Sequence, residues 1–130
     1  QATKICNNML AGINALAAAE AMTMGERLGV SPEVLYEVIA TSTGRSYIFE
    51  TSNPMPNVCS TSPANNKFKP GFMAKLMLKD LRLSQAAAQD AKTSTPLGAA
   101  ATAAFQQLID SGFGDLDTSS IIRVIKPESK

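Results

Sequence analysis

The chain contains no histidine and no tryptophan, and only two cysteines. Without histidine, neither a Ser-His nor a Cys-His nucleophile can be assembled. A zinc site draws four ligands from Cys, His and carboxylates, so this inventory argues against a metal centre. Cys6 and Cys59 are too few for a disulfide framework, which favours a reducing compartment. Cys6, within a helical pattern, reads as a small buried hydrophobe. Aromatics make up only 5% of residues, so a base-stacking platform for single-stranded nucleic acid is not expected. Twelve Lys and Arg against eleven Asp and Glu leave a net charge of +1, without the basic excess that marks nucleic-acid binding. No apolar run has the length of a membrane span, and no signal or transit peptide pattern is visible. Gln1 stands where an initiator Met would be, and a helical pattern begins almost at once. The expectation is a piece of a longer polypeptide, beginning just behind a domain boundary.

What is present suits one globular domain: 130 residues, 45% hydrophobic and 18% charged. Strand signals are nearly absent, and the expected fold class is all-α, five or six helices around a long central first helix. That helix runs to a cap at Gly29. Its apolar positions (Ile5, Met9, Leu10, Ile13, Leu16, Met22, Met24, Leu28) cover more than one face, as in a helix buried on several sides. Ala15 and Ala17 to Ala19 let neighbouring backbones approach. A second helix opens at the Ser31 cap with Pro32 in its first turn, and Val34, Leu35, Val38 and Ile39 form its buried stripe. A short helix spans about 46–51. Residues 52–71 are dense in turn formers and read as a long loop, which inside a compact domain is often functional. Helices follow at about 72–91, 96–111 and 118–125, the last capped by Asp117 or Thr118.

Two polar groups stand out. Lys4 lies in Lys4-Ile5-Cys6-Asn7-Asn8, and at about 100° per residue Asn7 and Asn8 flank its line one turn on. An amine and two carboxamides aimed at one volume could move a proton on an oxygen and hold that oxygen's neighbours. A solvated first turn would have the same spacing, and so short a motif matches by chance. The second group is Lys79, on a face shared with Phe72, Leu76, Leu83 and Ala87. A lysine in an apolar stripe is costly to bury, so it either snorkels toward a pocket or anionic ligand or lies in solvent. Asp80 points elsewhere on that helix, and Lys75 and Arg82 read as a solvated face.

Together these segments resemble the C-terminal domain of the β-hydroxyacid dehydrogenase family. Lys4 to Leu10 is similar to the family's catalytic helix, and Leu76-Met77-Leu78-Lys79-Asp80-Leu81 to its Lys-Asp-Leu segment. Ser42 to Arg45, Asn53 to Val58, Ser62 to Asn66 and Gly71-Phe72 resemble the 3-hydroxyisobutyrate dehydrogenases in particular, including a fold like the C-terminal domain of 6-phosphogluconate dehydrogenase. The resemblance implies Lys4 as the acid/base residue, Asn8 and Asn7 as substrate-binding, and Lys79 and Phe72 as cofactor-binding, with NAD as cofactor. It implies oxidation of 3-hydroxyisobutyrate to methylmalonate semialdehyde in valine catabolism. It also implies homo-oligomers, in the mitochondrial matrix of eukaryotes or the cytoplasm of bacteria. The family's Gly-rich phosphate loop and substrate-binding Ser-Gly-Gly loop are absent, so an N-terminal NAD-binding Rossmann domain is expected outside residues 1–130, and residues 1–130 alone should be inactive. Two rivals stand beside this reading: another family member such as a tartronate or succinic semialdehyde reductase, or a helical oligomerisation module without chemistry.

Overall fold

Small residues decide how the first helix is used. In α1 (Ala2–Arg27) the buried positions are Gly12, Ala15, Ala18, Ala19, Met22, Thr23 and Gly25. Neighbours therefore come close on several sides, and α1 is the element against which every other helix packs. The computed structural model describes residues 1–128. The remaining helices are α2 (Pro32–Ala40), α3 (Tyr47–Thr51), α4 (Ala74–Asp90), α5 (Pro96–Asp110) and α6 (Ile122–Ile125). Single 3₁₀ turns occur at Pro63–Asn66 and Thr118–Ile121, and the described residues form no strand, only one isolated bridge between Met73 and Asp117.

The end of α1 is a Schellman stop. Gly29 takes φ +95°, and the Val30 and Gly29 amides donate back to the carbonyls of Gly25 and Glu26. The Ser31 hydroxyl then caps α2, accepting from the Val34 amide. The stripe expected on α2 is only half realised. Leu35 and Ile39 pack on the core, but Val34 and Val38 are 53% and 56% exposed. No residue of this nine-residue helix is fully buried, so it lies on the surface with one edge against the core. Cys6 is also exposed rather than buried, on the wall of a surface groove between α1 and α4.

The loop from 52 to 71 is held by its own side chains. Asn53, fully buried, donates to the Phe49 carbonyl and accepts from the Met55 amide, while the Ser62 hydroxyl donates to the Asn53 carbonyl. Asn65 likewise donates to the Cys59 carbonyl and accepts from the Asn57 amide. These bonds replace the backbone ladders that a loop lacks. They seat Pro54, Met55, Ala64 and Phe68 in the core. Nearby, Tyr36 stacks on Phe49 at 5.5 Å, and burial, then the neighbouring Cys59, pushes its phenol pKa up.

Helix α4 starts at Ala74, two residues later than its apolar pattern suggests. Residues 68–73 are tied to residues 114–118 instead: the Asp117 amide donates to Phe68, the Thr118 amide to Phe72, and the Ala74 and Lys75 amides to Leu116 and Gly114. Phe72 is therefore on the approach to α4, not on its face. Helices α1 and α4 run antiparallel, with Met9 beside Gln85, Asn8 beside Asp80, and Gly12 against Met77 and Leu81. A Cβ at Gly12 would stand 3.0 Å from Leu81 Cδ2, so the absent side chain sets how closely the two helices approach.

Candidate functional site

One turn along α1 from Gly12, toward its start, the two helices part into a cleft of about 260 Å³. Its walls are Gln1, Lys4, Ile5 and Asn8 of the α1 segment and Lys79, Asp80 and Leu83 of α4. Lys4 and Lys79 are exposed at the rim, while Asn8 and Asp80 are half-buried below them. Asn8 Nδ2 donates to Asp80 Oδ2 at 2.8 Å. Two ammonium groups against one carboxylate leave the cleft positive. Gln1 supplies no side-chain cap and the first turn of α1 has no acidic residue, so the helix end adds to that sign. Such a cleft favours a small anion.

Asn8 is also part of the wall of a second cavity, about 460 Å³, with Ala11, Ile48, Ser52, Phe72, Met77 and Thr118. The structure thus gathers Lys4, Asn8 and Lys79 into one cleft and puts Phe72 in the adjoining one. Asn7 lines neither; it is exposed and donates to Asn8 Oδ1 at 3.2 Å. The stripe around Lys79 is not buried, since Leu76 and Leu83 are 41% and 48% exposed, and Lys79 reaches the cleft without passing through a core. Lys75 pairs with Asp115 at 2.7 Å on the surface, and Arg82 hydrogen-bonds Gln106, as the solvated reading of that strip expects.

Two residues were not seen in these roles from sequence. Asp80 does not point away: the antiparallel crossing turns it onto Asn8, 72 positions distant. No spacing within α4 carries that signal. Asp117 was read only as a cap. It does cap the 3₁₀ turn, through Oδ2 and the Ser119 amide and hydroxyl, but Oδ1 also accepts from the Gly71 and Phe72 amides, each at 2.9 Å. It is buried and lines the second cavity, fixing the wall that carries Phe72.

A family model described as the NAD-binding of NADP-dependent 3-hydroxyisobutyrate dehydrogenase matches residues 1–125. The chain is 39% identical over 128 residues to the mitochondrial 3-hydroxyisobutyrate dehydrogenase of Drosophila melanogaster, covering 98% of this chain and 40% of that protein. It is 38% identical over 127 residues to an NAD-dependent L-serine dehydrogenase of Pseudomonas aeruginosa, covering 98% of the chain and 43% of the relative. Among solved structures, the 3-hydroxyisobutyrate dehydrogenase of Mycobacterium tuberculosis with L-serine aligns with a TM-score of 0.92 at 40% identity, over 97% of this chain and 43% of that one. The chain therefore spans less than half the length of the relatives it matches. The NAD expected as cofactor agrees with the family's description as NAD-binding.

Proposed function

The chain belongs to the 3-hydroxyisobutyrate dehydrogenase family that this NAD-binding model describes, and from that premise we propose that it is the helical C-terminal unit of an enzyme oxidising a 3-hydroxy acid with NAD. The C-terminal placement is supported by the described residues, which contain neither a βαβ unit nor a Gly-rich phosphate loop. A cleft of about 260 Å³ suits a small substrate with one end of a dinucleotide, not a whole dinucleotide. A separate nucleotide-binding domain would hold the rest.

The observation that carries this reading is the meeting of Lys4 and Asn8 from α1 with Lys79 from α4 in one positive cleft. Lys4 as the neutral amine takes the hydroxyl proton during oxidation, and as the ammonium returns it during reduction. Asn8 holds the reacting oxygen or the carboxylate through its amide. Lys79 meets the cofactor's anionic groups from the opposite wall. NAD, when bound, accepts the hydride. Phe72, in the adjoining cavity next to Asn8, offers an apolar surface to the cofactor or substrate.

The substrate we propose is 3-hydroxyisobutyrate, with a role in valine catabolism; the names of relatives such as the fly and Mycobacterium tuberculosis enzymes support it. L-Serine is the second reading, because a relative is named an L-serine dehydrogenase and a solved relative's title includes L-serine. Both are 3-hydroxy carboxylates, and comparing kcat/KM on the complete enzyme for the two, with tartronate and succinic semialdehydes run in reverse, separates them. Turnover of none of these would end the proposal. Lys79→Ala should weaken NAD binding about tenfold, the value of one charge-assisted hydrogen bond; an unchanged dissociation constant in an NAD titration excludes that role. A homo-oligomer is also part of this reading, with the exposed Val34 and Val38 of α2 as a candidate contact; a purely monomeric sedimentation profile of the complete enzyme would refute it. A eukaryotic source would place the enzyme in mitochondria, as for the fly relative, and a bacterial one in the cytoplasm; fractionation of the source cells decides this.

A further inference from the structure

We infer that Asn7, Asn8 and Asp80 form a hydrogen-bond relay in which Asp80 selects the orientation of the Asn8 carboxamide and Asn7 donates to the oxygen that this orientation presents. The inference rests on the dehydrogenase reading for its effect on turnover, but the relay itself is a property of these side chains. Asp80 and Asn7 are positioning residues: neither is assigned a contact with substrate or cofactor.

The orientation follows from donor and acceptor chemistry. A carboxylate only accepts hydrogen bonds, whereas a carboxamide has a donating and an accepting end. Asn8 can therefore turn only its NH₂ toward Asp80 Oδ2, which lies 2.8 Å away. That choice directs Oδ1 away from α4, where Asn7 Nδ2 donates to it at 3.2 Å. A flipped Asn8 would set its oxygen against the carboxylate and lose that bond, whereas the exposed Asn7, a carboxamide itself, can turn to meet either end of Asn8. The bond to Asp80 is partly buried and joins two helices whose spacing is fixed by Gly12 against Leu81. It is therefore less screened than a surface pair. What remains for a ligand is one N–H and one oxygen lone pair of Asn8, both at known ends of the amide.

The relay also explains why an acidic group stands in a cleft that otherwise favours anions. Asp80 lowers the positive charge between Lys4 and Lys79, yet it stands within hydrogen-bond reach of Asn8 Nδ2 and so can lock it. Asparagine at position 80 would be nearly isosteric but could both donate and accept, so it would tolerate either amide orientation.

The test is a double-mutant cycle in the complete enzyme, read as kcat and KM. Asp80→Asn should lower kcat about tenfold or more with Asn8 present, and change it less than twofold in an Asn8→Ala background. Asn7→Ala should show the same dependence with a smaller loss. Equal fold losses in both backgrounds would overturn the relay, because Asp80 would then act independently of Asn8. A second readout needs no turnover. In ¹⁵N spectra of the complete protein, the Asn8 side-chain amide should have one N–H shifted and slowed in exchange, and Asp80→Asn should abolish this while the core methyl resonances stay in place. An Asn8 amide unchanged by Asp80→Asn also overturns the proposal. If the unsubstituted enzyme fails to oxidise any 3-hydroxy acid, the dehydrogenase reading falls, and the amide spectrum still decides the relay.

Discussion

Lys4→Ala in the complete enzyme should lower kcat by a factor of about 10² to 10⁴, the usual range for removing a positioned acid/base group, while the NAD dissociation constant changes less than about threefold. The asymmetry comes from the geometry. Lys4 projects from the first turn of α1 at the rim of the cleft, where it can reach an oxygen held by Asn8, whereas Lys79 on α4 is the residue assigned to the cofactor. Alanine is a strong helix former and Lys4 is exposed, so the substitution should leave the fold intact. Loss of turnover would then report chemistry rather than unfolding. Retention of most of the wild-type kcat would dismiss Lys4 as the acid/base, and a parallel collapse of NAD binding would move it to the cofactor site.

The second large effect concerns stability. Asp117→Ala should destabilise the fold by about 3 kcal/mol, because it orphans the buried amide and hydroxyl of Ser119, each costing about 1–3 kcal/mol when unsatisfied, and removes the part-buried bonds from Gly71 and Phe72. The carboxylate accepts four hydrogen bonds, from the amides of Gly71, Phe72 and Ser119 and the hydroxyl of Ser119. Typical domains have a total stability of about 5–15 kcal/mol, so the loss is a large fraction of the whole. Asp117→Asn should cost less. Its single oxygen can still serve Gly71 and Phe72, but its NH₂ would then face the amide of Ser119, a donor against a donor. Urea unfolding of the three proteins checks the order wild type, Asn, Ala. A cost for alanine under about 1 kcal/mol would show that water or a shifted backbone replaces the carboxylate. Since the Oδ1 bonds position Phe72 beside the second cavity, the alanine variant, but not the asparagine variant, should also alter substrate or cofactor affinity if Phe72 has the role proposed for it.

Much of the local structure was legible because its causes are local. Ser31 followed by Pro32, the Gly29 stop and the Asp117 cap, one of the two expected there, are each fixed by residues within one helical turn, and each is found where it was expected; the short helix over about 46–51 is found with Ser46 as its cap. The alanine-rich stretch of α1 announced a central helix, since few other sequences let neighbours pack on several sides. Errors arose where an element's surroundings decide. Val34 and Val38 fit an apolar stripe by spacing but remain exposed, because periodicity says which residues share a face and not what covers it. The start of α4 was set too early for a similar reason: Phe72 and Met73 are excellent helix-side residues, yet their backbone is taken by residues 117 and 118. The loop at 52–71 was read as structureless, whereas Asn53, Ser62 and Asn65 supply it with a network that no turn rule predicts.

The site divides along the same line. The order Lys4, Asn7, Asn8 on one helix, and the placing of Lys79 on another, are properties of the chain alone, because helical rotation is fixed at about 100° per residue whatever the surroundings. That the two helices cross antiparallel, bringing Asp80 onto Asn8 and Lys79 opposite Lys4, was decided only by tertiary packing. Their close approach is eased by a glycine at position 12 meeting Leu81, a contact between residues far apart in the chain, whose spacing encodes nothing about their distance in space.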